Sequence, residues 1–441
     1  MTFQGSMRAG VAAIALFAAA PLAAQDQVPV TIVINQSPWF PGFQKVVELY
    51  TKETGNTINL DVNPFAGSLE KQRTAVRSET SPFDILVMNA GFFVEFYTSG
   101  FIQPLTDIDP DFKLDPAIYT FDNSVYWDPE TQQINAQTGS LHSVPVNPFL
   151  PILHYRADLY EANGLEVPTT WDQLYDNARV LNDPPKMYGI SQRGQRGTFD
   201  VTFDVMAYVW SHGGGIFADQ KGGDFTVTIN SPETLAGMET YIRLANDVGH
   251  PSTAGQTQTN VIQNMATGRA GHIQGVPAPA LFDDPTQSAV VGLVNYAPVP
   301  GTQAMPGVAP LGHWLAGIPK NIPEDRQASA LAFLTWFQGD EAQRAYAEAG
   351  SPPVSKAVLE SDMAQQPEYR YMTALADSIP NARLTFVIPE AAQVLSVTEL
   401  RFNQAISGEL PLKEALNTAA QEIHDVMVQA GHDTPMLEPL Q

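Results

Sequence analysis

Two hydrophobic periods take turns along this chain. Val30 to Ile34 is a short, mostly apolar run of strand length, and Gly42 to Thr54 spaces its apolar residues three and four apart, as an amphipathic helix does. Gly55 ends that helix. Thr57 to Val62 alternates like a second strand, and Ser68 to Glu79 returns to the helical period. Phe83 to Met88 (FDILVM) is a third strand, and Phe92 to Ser99 is a helix stopped by Gly100. This β-α-β-α-β-α order predicts a mostly parallel sheet with helices on both faces. Leu105 to Gln137, rich in Asp, Pro and Asn, predicts loop with short helices.

A second α/β unit begins near Val144. It holds a strand at Tyr188 to Ile190, a helix from about Asp200 to His212, and then Gly213-Gly214-Gly215. A hairpin-like Phe225 to Ile229 follows, and then a helix with Ser231 as N-cap and Pro232 at its first position. The helix Val261 to Thr267 leads through Gly268 to a strand at Ala270 to Gln274. Pro298 to Pro310 reads as a connection. A strand at Trp314 to Ile318, a helix at Asp325 to Gln338 and a terminal helix at Leu412 to Gln429 complete the pattern.

The N-terminus lies outside this alternation. Arg8 precedes the apolar run Val11 to Ala20, and Pro21-Leu22-Ala23-Ala24 follows. That is a secretory signal with cleavage expected after Ala24, and the run is shorter than the roughly 20 apolar residues that span a bilayer. The remaining chain exceeds the roughly 250–300 residues at which single cores stop growing, so two lobes are expected. There is no cysteine, which removes disulfides, thiolate metal sites and a lipid-bearing thiol. A soluble periplasmic protein of a two-membrane bacterium follows. Acidic residues number 47 against 23 basic, which argues against nucleic acid and anionic membranes.

The segment His154 to Leu174, HYRADLYEANGLEVPTTWDQL, has a clear local reading. Gly164 supplies a left-handed helix end, and Thr170 with Gln173 forms a capping box before the next helix. The same segment resembles the signature of the extracellular solute-binding proteins of ABC importers, in their sugar- and polyol-binding branch. FDILVMNAGFFVEFYTSGFIQPLTDI before it, and NMATGRAGHIQG and GHWLAGIPKNIPEDRQASALAFLTWFQGDEAQRAYAEAG after it, resemble other landmarks of that family in the same order.

The resemblance implies a periplasmic-binding-protein fold: two α/β lobes, crossing hinge strands and a ligand cleft that closes. It places lobe 1 at residues 27–146 plus 311–350 and lobe 2 at 147–310 plus 351–441. It also implies a monomeric receptor without cofactor or metal that passes a mono- or disaccharide or a polyol to a membrane permease. Maltodextrin-binding members carry Trp where this chain places Pro277 and Leu395, which argues against a long glucan.

A sugar site needs flat aromatic faces and planar polar groups, on loops beyond the carboxyl ends of strands. Candidates in order are Trp39 and Phe40, Phe65 beside Asn63, Asn89, and Asn147 and Phe149 beside hinge prolines. Arg193 and Asp200 are candidate hydroxyl clamps, with paired charges as the alternative. Gln274 ends a strand, and Arg383 can reach in from the C-terminal region. His313 and Trp314 are the strongest pair, because family members often carry Gly-Gly-Trp there. Trp314 is either a stacking platform or a hinge-packing residue.

Trp171, Trp210 and Trp336 fall in apolar helix patterns and read as core. The histidines lack an HExxH arrangement, so a zinc site is not expected. A secreted hydrolase is the rival class, but the chain has no G-x-S-x-G elbow and no P-loop. Carboxylate pairs for glycoside hydrolysis stay open. Within the same fold, an organic cation, or a phosphorylated or sulfonated polyol held by Arg193, Arg196 and Arg383, is the alternative ligand.

Overall fold

A computed structural model describes residues 28–441, and the expected signal peptide lies outside them. Eleven strands position the site. They are β1 (Val30–Asn35), β2 (Ile58–Asn63), β3 (Ile85–Asn89), β4 (Ser143–Asn147), β5 (Ile152–Arg156), β6 (Tyr188–Ser191), β7 (Ala270–Gly275), β8 (Val294–Ala297), β9 (Pro310–Leu311), β10 (Trp314–Gly317) and β11 (Arg383–Leu384).

Two separate sheets organise the chain. The first has the order β2-β1-β3-β10-β4 and the second β8-β5-β7-β6. In the first, β1 runs parallel to β2 and β3, as the early β-α-β pattern predicts. The expectation of a mostly parallel sheet then needs a correction, because β10 is antiparallel to both β3 and β4. It enters from the opposite lobe, so it begins at the edge where its neighbours end. In the second sheet β5 is antiparallel to β7 and β8, and only β6 and β7 are parallel.

The chain passes between the sheets through Pro148–Pro151 and returns from β8 through β9 into β10. β9 pairs in parallel with β11, so a late segment braces the return strand. The helices follow the hydrophobic period of the sequence. The first helix is Phe40–Thr54, two residues longer than predicted at its start because Pro41 is accommodated in the first turn; Gly55 closes it at φ 79°. Helix Trp171–Leu181 carries the predicted capping box: Thr170 Oγ1 accepts from Gln173 N at 3.3 Å, and Gln173 Oε1 accepts from Thr170 N at 3.2 Å. Ser231 caps the helix Pro232–Asp247, and Leu412–Gln429 is helical throughout. The Asp- and Pro-rich region holds one short helix, Leu105–Ile108, and also a ribbon of Tyr126–Trp127 with Ser140–Leu141 that was not predicted.

Both sheets are covered on both faces, so their central strands read as nearly continuous apolar runs. Ile32 to Ile34 and Ile85 to Met88 are completely buried. Trp171 stacks on Tyr208 with ring centroids 3.8 Å apart, a core contact as the helix pattern predicts.

A cleft between the two sheets

Four strands of the first sheet end on asparagine: Asn35, Asn63, Asn89 and Asn147. β10 starts at the same edge with Trp314, which stands in register between Asn89 and Asn147. Asparagine is poor inside a strand but holds loops well through its side-chain amide. Asn89 Nδ2 donates to Gly312 O at 2.8 Å, and its Oδ1 accepts from Gly91 N at 2.9 Å. Asn147 Nδ2 donates to Pro352 O at 3.2 Å and to Tyr346 Oη at 3.3 Å. Asn35 Nδ2 donates to Ser37 Oγ at 2.8 Å, fixing the loop that carries Trp39. The edge is thus a row of planar amides that shape the first wall.

An aromatic group fills the middle of that wall. Trp314 lies between Trp39, with ring centroids 5.8 Å apart, and Phe65, at 5.9 Å and nearly perpendicular. Phe65 also meets Phe92 at 5.9 Å and remains 38% exposed, which makes it the rim. Trp39 and Trp314 are buried, yet neither indole Nε1–H has a hydrogen-bond partner among the described residues. The Nε1–H groups of Trp127 and Trp171, inside the lobes, share that lack of a partner, so what sets Trp39 and Trp314 apart is their place at the cleft edge.

The crossing segment after β4 and helix Asp200–Ser211 supply the facing wall. Phe149 and Phe203 have ring centroids 6.1 Å apart, and both rings press on Gly312, where a Cβ would fall 2.8 Å from Phe203 Cε2. Only glycine allows that approach. Trp39, Asn147 and Phe149 meet Val276, Pro277 and Pro352 around a space of about 10 Å³, enough for roughly one water. Nothing larger than a water fits there unless the walls part.

Behind Phe203 lies a buried charged network. The Arg193 guanidinium sits over the Phe203 ring, 4.9 Å from its centroid, and its Nη2 is 3.3 Å from Asp204 Oδ1. Asp204 Oδ2 accepts from Arg193 N at 2.9 Å, and Gln274 Nε2 donates to Asp204 Oδ1 at 3.0 Å. Burial pushes the Asp204 carboxyl up to about 6, with the Arg193 charge pulling the other way. Asp200 lies 3.8 Å from Arg193 Nη1 and accepts from Gln258 N at 2.8 Å.

The sequence-predicted residues therefore separate into three groups. Trp39, Phe65, Asn89, Asn147, Phe149 and Trp314 come together at the cleft, with Phe40 half-buried beside Trp39 at the helix start. Arg193 and Asp200 take the paired-charge alternative, buried inside the lobe and not on its surface, and Gln274 joins them through Asp204 while its Oε1 has no partner among the described residues. His313 and Arg383 fall outside. Strand alternation sends His313 away from Trp314 into the body of the first lobe, where it stacks on Phe121 at 4.9 Å and its Nε2 pairs with Ser124 Oγ at 2.7 Å. Arg383 is exposed and is tied down through its backbone N to Ala309 O.

Sequence reasoning missed Asn35, Phe92, Phe203 and Asp204. The repeated asparagine at strand ends was a visible signal for the first. Phe203 and Asp204 close the segment Gln192 to Asp204 that supplied Arg193 and Asp200 as candidates, but their own helical period gave no reason to single them out.

Two α/β lobes that face each other across an aromatic and amide-lined cleft define a binding protein of the two-lobe receptor class. The chain belongs to the bacterial extracellular solute-binding protein family, which matches residues 35–344. It is accordingly a binding protein and not an enzyme, with its place outside the cytoplasm. It is 23% identical over 453 residues to a mannitol-binding protein of Pseudomonas aeruginosa, covering 97% of this chain and 99% of the relative. It is 20% identical over 371 residues to an erythritol/L-threitol-binding protein of Mycolicibacterium smegmatis, covering 81% and 77%. Its fold is similar to that of an ABC transporter solute-binding protein from Agrobacterium radiobacter K84 in complex with ribitol. The TM-score is 0.77 at 22% identity, covering 90% of this chain and 98% of the other.

Proposed function

We propose that this protein captures a small neutral polyol or sugar in the periplasm and hands it, by lobe closure, to the permease of an ABC importer. The observation that carries the reading is the wall of aromatic faces, Trp39, Trp314 and Phe65, set beside asparagine amides at the strand ends. Aromatic faces suit C–H surfaces, and unpaired neutral donors suit hydroxyls. The relatives named for mannitol and for erythritol or threitol support the same class. A charged ligand fits less well, because Arg193 is already neutralised by Asp204 and Asp200.

The proposed lobes follow sheet membership. Lobe 1 is residues 28–147 plus 311 to about Leu359, since Ser355 still bridges Ile118 and Lys356 N still donates to Ala117 O. Lobe 2 is 148–310 plus the remainder, where helix Tyr371–Ser378 packs on β8. The protein works as a monomer, released by cleavage after Ala24 and without a lipid anchor. Thermal-shift screening followed by calorimetry across polyols, sugars, a polyol phosphate and a quaternary amine, at low and high salt, tests the ligand. Polyol binding that is insensitive to salt is expected; binding of the phosphate or the amine alone, weakened steeply by salt, overturns the reading.

A further inference from the structure

The loop before helix Asp200–Ser211 holds Phe199 at φ 68°, a left-handed conformation uncommon for a bulky residue. A conformation of that kind persists where its surroundings enforce it, and here Glu399 does so. Its Oε1 accepts from Thr198 N at 3.1 Å and from Phe199 N at 2.5 Å. Glu399 lies buried on helix Ala391–Ser407. That helix is itself pinned to the same region, through Thr398 Oγ1 to Thr202 Oγ1 at 2.9 Å and through Asn403 Nδ2 to Gly194 O at 2.7 Å.

The turn aims the Phe199 ring across the cleft. A Cβ placed on Gly91 would stand 3.4 Å from Phe199 Cε1, so the ring edge lies against Gly91 of the first lobe. Gly91 is held in turn by Asn89, whose amide also holds Gly312 next to the Trp314 strand. A single side chain from lobe 2 therefore rests on the turn that shapes the lobe 1 wall.

We infer that Phe199 is a closure latch and that Glu399 is its positioning residue: Glu399 sets the equilibrium between open and closed lobes, and hence apparent ligand affinity, without touching the ligand. Apparent affinity falls in proportion to the closed-competent fraction. The inference of an effect on affinity rests on the proposed binding of a polyol or sugar; the effect on closure does not.

The chain has no cysteine, so Val62→Cys and Val180→Cys, both at exposed sites, accept a spin-label pair that reports the distance between lobes. In the ligand-free protein, Glu399→Ala is expected to shift that distribution to longer distances, and Glu399→Gln, which keeps an acceptor oxygen, to restore it. Gly91→Val approaches the same contact from lobe 1 and is expected to lengthen the distance too. In a Phe199→Gly background, where the turn needs no enforcement, Glu399→Ala is expected to add nothing. With the ribitol or mannitol that binds wild type, Glu399→Ala is expected to lose about tenfold in affinity. Unchanged distances in both Glu399→Ala and Gly91→Val, or an equal Glu399→Ala shift in the Phe199→Gly background, overturns the latch. Wild-type protein that binds no polyol or sugar refutes the functional reading and leaves the ligand-free distances still decisive for the latch.

Discussion

Trp39 and Trp314 meet with ring centroids 5.8 Å apart and planes tilted by 55°, each buried and each with an indole N–H that has no partner among the described residues. They reach this contact from opposite ends of the chain. Trp39 follows the first strand of the sheet, and Trp314 begins the strand that returns from the other lobe. The contact fastens the hinge return to the first wall of the cleft, so any stacking of a ligand on Trp314, as proposed above, would act on a residue that also packs the hinge.

That dual role changes what truncation does. Trp314 is 2% exposed, and replacing a buried Trp by Ala costs roughly 3–5 kcal/mol. Trp314→Ala is therefore expected to lower ligand-free stability as well as affinity. Trp314→Phe keeps an aromatic face and loses the N–H. It removes three side-chain atoms and so is expected to lose less stability than Trp314→Ala, while weakening binding about tenfold, or 1.4 kcal/mol. Denaturant titration and calorimetry on both variants check this, and full affinity in Trp314→Phe removes the indole donor from the site.

Gly312 offers a cleaner probe of wall contact. An added methyl would lie 2.8 Å from Phe203 Cε2 and 3.0 Å from Phe149 Cδ1. Gly312→Ala is expected to cost roughly 1–3 kcal/mol by overpacking and to weaken binding, because two rings from the facing wall must move. Melting temperature together with ligand titration measures both. A variant with wild-type values in each would mean the rings are free to swing away.

Much of this was legible in the sequence because it is local. The capping box at Thr170 and Gln173, the glycine stop at Gly55 and the apolar run FDILVM each depend on a few neighbouring residues. The placement of His313 was not legible. Alternation shows that His313 and Trp314 face opposite sides, but which side is the cleft depends on pairing with Asn89 and Asn147, far away in the chain. The antiparallel sense of β10 is long-range in the same way. Arg193 and Asp204 are close in sequence, yet a strand end and a helix turn separate them, and only their packing shows that they neutralise each other.

Arg193 and Asp204 supply a test of that pairing. Removing one partner of a buried ion pair leaves an uncompensated charge and costs roughly 3–5 kcal/mol. Arg193→Met is expected to destabilise the ligand-free protein by that order, and Arg193→Met with Asp204→Asn to recover most of the loss. Denaturation midpoints of the two variants decide it. If Arg193→Met leaves ligand-free stability intact and abolishes binding, Arg193 is a ligand clamp after all.

Acid should unfold this protein through its buried histidines. Burial holds His154 and His313 down to about 3 and His272 down to about 4, while the unfolded chain protonates them near 6.5. Between those values the unfolded state binds more protons, so stability falls as pH drops from about 6.5 towards 4. Each histidine contributes up to about 1.4 kcal/mol per pH unit. Asp204, raised to about 6, acts in the opposite sense over about 4 to 6, because there the folded state holds the extra proton. Burial also raises Glu399, in the same sense as Asp204, and also lowers His142 and His250, so two carboxyls stand against five imidazoles and the net is a loss on acidification. Urea midpoints at neutral and mildly acid pH are expected to show that loss. His313→Gln, which removes the imidazole stacked on Phe121, is expected to make the pH dependence shallower by about one proton. Equal midpoints for wild type across that range would mean that these rings open to solvent in the folded state.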